Sequence, residues 1–125
     1  MKHGDISAAS APIVGVRFEA IVRNFTNNTP NQKGVAYLES LLNLDCSILL
    51  LTLMDRRKAL AFCYKWNVPY QKLVQIDSVL EIPQLLQAHK AQIYWDTNSK
   101  VIENVRSSGP IQINAKLWEE SLGHS

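Results

Sequence analysis

The chain has 125 residues, enough for one ordinary domain and too few for two. With 46% hydrophobic and 19% charged residues it has the composition of a globular protein that buries its own core, so neither disulfides nor a metal is needed to hold the fold. The formal charge of +2, with Lys and Arg spread along the chain, argues against nucleic acid as the primary partner, because a polyanion asks for a concentrated basic patch.

Met1 to Ala11 is rich in small and polar residues, shows no period and reads as a tail or docking arm. A single domain is therefore expected over residues 12–125. The small, polar opening does not resemble a signal peptide. The longest apolar run, Ile48-Leu49-Leu50-Leu51, falls far short of the roughly 20 residues of a membrane span. Cys46 and Cys63 each sit in an apolar stretch and are expected as buried thiols of a reducing compartment, which points to a cytoplasmic protein without membrane contact.

Pro12 precedes Ile13 to Phe18, a short β-like run. Arg23 to Lys33 is polar, holds four Asn and Pro30, and is expected as a loop. Val35, Leu38, Leu41 and Leu42 recur at helical spacing between Pro30 and Asn43. Cys46 to Thr52 is a continuous apolar run, the pattern of a strand covered on both faces. In Asp55 to Trp66, Ala59, Phe62, Cys63 and Trp66 share a helical face, and Val68-Pro69 ends the helix. Lys72 to Ile76 reads as a short strand. Ser78 and Glu81 fit a capping box for a helix that runs through Pro83 to about Ala88. Ala91 to Trp95 reads as a strand, and Asn98 to Ser107 as a helix with Val101, Ile102 and Val105 inward. After the Gly109-Pro110 break, Ile111 to Ile113 is expected as the last strand and Ala115 to Leu122 as the last helix.

Strands alternating with helical patterns predict an α/β, Rossmann-like three-layer domain: a mostly parallel five-stranded sheet with helices on both faces. In such sheets ligands bind beyond the carboxyl ends of the strands, where the strand order reverses. The residues there are Arg17, Phe18 and Glu19 after the first strand, Thr52 after the second, and Asp96, Thr97 and Asn98 after the fourth, with Lys90 just before the fourth.

These positions carry a resemblance. Ile13 to Val22 resembles the first motif of the haloacid-dehalogenase-like (HAD-like) phosphatases, an apolar strand followed by Asp-x-Asp-Gly-Thr. Ile48 to Thr52 resembles their second motif, a strand ending in Ser or Thr. Ala91 to Thr97 resembles the fourth, a strand ending in an acidic pair. Trp66 to Leu73 is similar to the Trp, Pro-Tyr and Leu pattern of small capless members, and the resemblance as a whole covers about residues 12 to 114. The resemblance implies a site in which the first Asp attacks phosphorus, the second is the acid and base, and Mg²⁺ is held by the first Asp, a backbone carbonyl and the later acidic pair.

The departures bear on function. Arg17 stands at the nucleophile position, and a guanidinium neither attacks phosphorus nor tolerates a metal ion beside it. Glu19 stands at the acid/base position, Ala20 and Ile21 replace Gly-Thr, and Thr97 replaces the second acid of the pair. Thr52 matches the phosphate-binding hydroxyl, while Lys90 lies about two residues nearer Asp96 than the family's lysine would. The expectation is that Arg17 fills the space of the lost ion and pairs with Asp96, and with Glu19 as well. Local roles compete for the same residues: Thr52 and Asp96 also suit helix or turn capping, and Asp55-Arg56-Arg57-Lys58 suits a solvated helix start. His3, His89 and His124 form no metal-ligand spacing. Trp66, Trp95 and Trp118 suit core or interface anchors, and Tyr70 a packing residue.

The functional expectation is a catalytically degenerate HAD-like domain, without a cofactor, acting in binding, regulation or assembly through a protein partner or self-association. One alternative is a capless Mg²⁺-dependent phosphatase acting on a macromolecular or phosphorylated substrate, with Asp96 and Glu19 as metal ligands. Another is a structural subunit that docks through its tail and the Trp118 segment. The short connections after Ile21 and after the third strand leave no room for a cap, and an open site suits a large partner.

Overall fold

The computed structural model of the chain describes residues 11–24, 27–108 and 113–118. Five strands form one sheet: β1 (Ile13–Arg17), β4 (Ser47–Thr52), β5 (Lys72–Gln75), β6 (Ile93–Asp96) and β7 (Asn114–Leu117). Two shorter strands, β2 (Arg23–Asn24) and β3 (Thr29–Pro30), pair antiparallel as a hairpin. The helices are α1 (Gln32–Asn43), α2 (Arg56–Trp66), α3 (Ile82–Ala88) and α4 (Ser99–Ser107). The sheet order is β5-β4-β1-β6-β7, and all four pairings are parallel.

Side-chain alternation along the strands makes two cores. Val14, Val16, Ile48 and Leu50 face α1 and α2, where Leu38, Leu41, Phe62 and Cys63 meet them. Leu49, Leu51 and Tyr94 face α3 and α4, where Ile82, Leu86, Val101, Ile102 and Val105 meet them. β4 is buried on both sides, as its unbroken apolar run requires. The result is the expected three-layer, Rossmann-like α/β architecture.

Local chemistry sets the boundaries. Asn31 caps α1, its side chain accepting from Gly34 N at 3.0 Å. Asn67 ends α2 in the left-handed conformation, a position that Asn takes more readily than most residues. Ser78 and Glu81 form the predicted capping box, here at a short 3₁₀ turn (Val79–Glu81) that runs into α3.

Four expectations change. The strand expected to reach Phe18 stops at Arg17, and Phe18–Val22 forms a single π-helical turn, with Phe18, Ile21 and Val22 buried. The expected loop from Arg23 to Lys33 contains the β2–β3 hairpin, and α1 begins only after it. The helix expected from Ala115 is overturned over residues 115–117, which belong to β7. There Ala115 is buried against α4, and its carbonyl accepts both Nε and Nη2 of Arg106, at 3.1 and 2.8 Å. That clamp reaches across from α4 and outweighs the local helical spacing. Cys46 is half-buried rather than buried, while Cys63 is buried as expected. The expected tail over residues 1–10, the Gly109-Pro110 break, residues 111–112 of the expected last strand and residues 119–122 of the expected last helix lie outside the described residues.

From β1 the chain passes to β4 and β5 on one side, then returns to place β6 and β7 on the other. The strand order therefore reverses between β1 and β6. Among the described residues the connection from the π turn to α1 holds only the hairpin, and that from β5 to α3 only the 3₁₀ turn, so neither carries an inserted domain. No helix of the described residues is long and apolar enough to cross a membrane.

Candidate functional site

Arg17 closes β1 and Asp96 closes β6, so the crevice at the reversal of strand order has a guanidinium on one wall and a carboxylate on the other. The register, Val16 opposite Trp95, brings them side by side. Arg17 Nη1 donates to Asp96 Oδ2 at 3.0 Å, with the Asp96 side chain 1% exposed and that of Arg17 14% exposed. The pairing expected from the sequence is therefore present.

Asp96 is engaged on both oxygens. Tyr94, two residues earlier and so on the same face of β6, donates its hydroxyl to Oδ2 at 2.7 Å. The backbone N–H groups of Thr97 and Asn98 donate to Oδ1 at 2.6 and 3.1 Å. Burial, and after it the charge of Asp96, push the Tyr94 phenol far above its ordinary range, so it remains a protonated donor. The capping expectation is met in part: Asp96 ties down the turn before α4, and Asn98 is the N-cap, accepting from Lys100 N and Val101 N.

Glu19 stands on the π turn, where a five-residue loop of backbone carries it from the end of β1 toward the end of β4. Its Oε2 accepts from Leu53 N at 2.6 Å, and its Oε1 lies 3.6 Å from Arg17 Nε. That approach is an ion pair and too long for a hydrogen bond, and both atoms are buried without a hydrogen-bond partner. One guanidinium thus sits between two carboxylates.

The other predicted site residues do not join this cluster. Thr52 is fully buried, and its Oγ1 accepts from Met54 N at 3.0 Å, so it caps the turn after β4. Lys90 sits exposed in the turn that leads into β6, at the edge where the strands begin and opposite the Asp96 end. His89 shares that turn, and His3 and His124 lie outside the described residues. Trp95 and Trp118 pack edge to face at 5.4 Å, and Trp95 Nε1 donates to the Tyr37 hydroxyl at 2.6 Å, so both serve as anchors against α1. Tyr70 packs on the α1–α2 core.

Mg²⁺ prefers octahedral oxygen ligands that are free to turn toward it. Here both oxygens of Asp96 and one of Glu19 are already taken by donors, and the other oxygen of Glu19 faces a permanent cation. Among the described residues, no group of three or more His, Cys, Asp and Glu could hold a metal ion. The residues present do not fit Mg²⁺.

Sequence reasoning missed two members of the cluster. The signal for Tyr94 was there, since a residue two positions before a strand-end carboxylate shares its face. The N–H of Leu53 has no signal in its side chain. Comparison of the chain with protein-family models, with curated proteins and with solved structures gives no match.

Proposed function

We propose that the chain is a catalytically degenerate HAD-like domain of the capless kind, acting in binding, regulation or assembly through a protein partner. The observation that carries this reading is the Arg17 guanidinium 3.0 Å from Asp96 Oδ2 at the reversal of strand order. Attack by a carboxylate on a phosphoryl anion needs a dication to offset their repulsion. At this site the positive charge belongs to the protein, is a single charge and cannot act as a nucleophile. Glu19, the remaining acid near the reacting position, is held by Leu53 N and faces Arg17. The two cysteines offer no substitute nucleophile: Cys63 is buried in α2 with its thiol pushed up to about 11 by burial, and Cys46 precedes β4 at the far edge of the sheet. Free thiols at these two positions suit a cytoplasmic protein.

The test is Mg²⁺-dependent hydrolysis of a generic aryl phosphate by the wild-type protein and by Arg17→Asp. Wild type is expected to release product at the rate of buffer alone. Turnover by wild type that disappears in Asp96→Asn would overturn the reading.

A further inference from the structure

α2 and the tip of the hairpin line a groove of about 280 Å³. Among the described residues, Met54, Ala61, Phe62 and Trp66 give it an apolar lining, and Asn28 of the hairpin lines it as well. Lys58 and Lys65 stand at its two ends. The groove is slightly smaller than the roughly 300–1,000 Å³ of small-molecule sites, so it is sized for a side chain rather than a cofactor.

Among the described residues, the charged side chains that line it, Lys58 and Lys65, are both cations. α2 carries Arg56, Arg57, Lys58 and Lys65 and no acid, with Asp55 the nearest carboxylate in sequence. All four cations are exposed, and so are Tyr64 at 87% and Trp66 at 38%. A helix start with three consecutive cations also works against the helix dipole, a local cost that the fold retains. Lys58 and Lys65 are seven residues apart on one helix, about 10 Å along its axis. An extended chain covers that span in three residues at roughly 3.3 Å each.

From this geometry we infer that the groove binds an acidic segment of a partner protein, with one bulky apolar side chain in the pocket and carboxylates on Lys58 and Lys65. A peptide fits better than a nucleic acid strand because Trp66, the exposed ring that lines the groove, already has close neighbours. Lys65 Nζ lies 5.1 Å from the centroid of the Trp66 ring, and the Phe62 ring packs against Trp66 at 6.4 Å. A base that stacks needs a free ring face. An aliphatic or aromatic side chain needs only the apolar lining, where the Met54 thioether adapts to its shape. This inference extends the binding reading above by naming the partner's chemistry, and its failure would leave the hydrolysis test untouched because no catalytic step involves the groove.

The experiment is fluorescence anisotropy with the full chain and a labelled peptide of about twelve residues, in which a leucine is bracketed by glutamates three positions apart. Saturable binding is expected, weakened at least tenfold by Ala61→Glu and by Lys58→Glu with Lys65→Glu. Each of these positions is exposed on α2, and each new residue is a good helix former, so the fold is kept. Replacing the peptide's leucine by serine is expected to weaken binding at least fivefold. Absence of saturable binding below about 1 mM would overturn the inference. So would tighter binding of a single-stranded oligonucleotide of equal charge, or indifference of peptide binding to Ala61→Glu.

Discussion

Arg17→Met lowers the unfolding free energy by about 3 kcal/mol, Asp96→Asn lowers it too, and the double variant loses clearly less than the sum. Removing one member of a buried ion pair leaves an uncompensated charge, which costs roughly 3–5 kcal/mol. The lower end applies because Arg17 keeps 14% exposure and water can reach the vacated space. With Arg17 gone, Asp96 retains Tyr94, Thr97 N and Asn98 N as donors but no countercharge. With Asp96 made neutral, the longer contact to Glu19 is the ion pair that Arg17 retains among the described residues. The double variant has neither orphan, so a coupling of roughly 1–3 kcal/mol is expected. Urea unfolding of the four proteins measures it. Strict additivity would mean that the pair does not join β1 to β6.

A second large effect is expected at Gly34. A Cβ built there lies 1.8 Å from the carbonyl oxygen of Ile21 and 2.8 Å from its carbon. The first turn of α1 thus rests directly on the backbone of the π turn, a contact that only glycine permits. Gly34→Ala gains up to about 1 kcal/mol of helix propensity, but the clash is with backbone, which no rotamer change relieves. A net loss of about 2–3 kcal/mol is expected from overpacking. Gly15→Ala is the comparison: its Cβ meets Leu86 Cδ2 at 2.6 Å, the far end of a side chain that can turn away, so its cost should be smaller. Because the π turn carries Glu19, Gly34→Ala should also loosen the Glu19–Leu53 hydrogen bond. Equal stability of Gly34→Ala and wild type by thermal unfolding would exclude the close approach.

The fold was largely legible where one residue pattern has one outcome. The apolar run Ile48 to Leu51 can satisfy a strand only if both faces are covered, and the two cores follow from it. Ser78 and Glu81 form their box because the reciprocal bonds are local. The π turn was hidden because Phe18, Ile21 and Val22 continue the apolar run of β1, and the close contact with Gly34 that accompanies the turn is not local. β7 was misread because its pairing with β6 and the bonds that Arg106 makes to Ala115, nine positions away, are not local.

In the site, Arg17 and Asp96 were legible as strand ends at a reversal of order. Thr52 was legible in its local role, the capping of the turn after β4, where it accepts from Met54 N. Lys90 fell at the wrong end because nearness in sequence to Asp96 runs along β6, from one edge of the sheet to the other. The groove on α2 left a trace in Arg56-Arg57-Lys58 and Lys65-Trp66, a pattern equally suited to a solvated helix face until the hairpin lines the groove as well.

On the proposed reading, the Arg17 guanidinium stands where a divalent cation would otherwise stand. The most direct test is thermal unfolding of wild type and Arg17→Asp with and without Mg²⁺. Arg17→Asp gathers three carboxylates with no cation between them, so it should be destabilised alone and recover on adding Mg²⁺. At ten times the dissociation constant, binding to the folded state adds about 1.4 kcal/mol, or roughly 5 °C. Wild type should not respond. If Mg²⁺ raises both melting temperatures equally, or raises only that of wild type, the guanidinium does not take the cation's place.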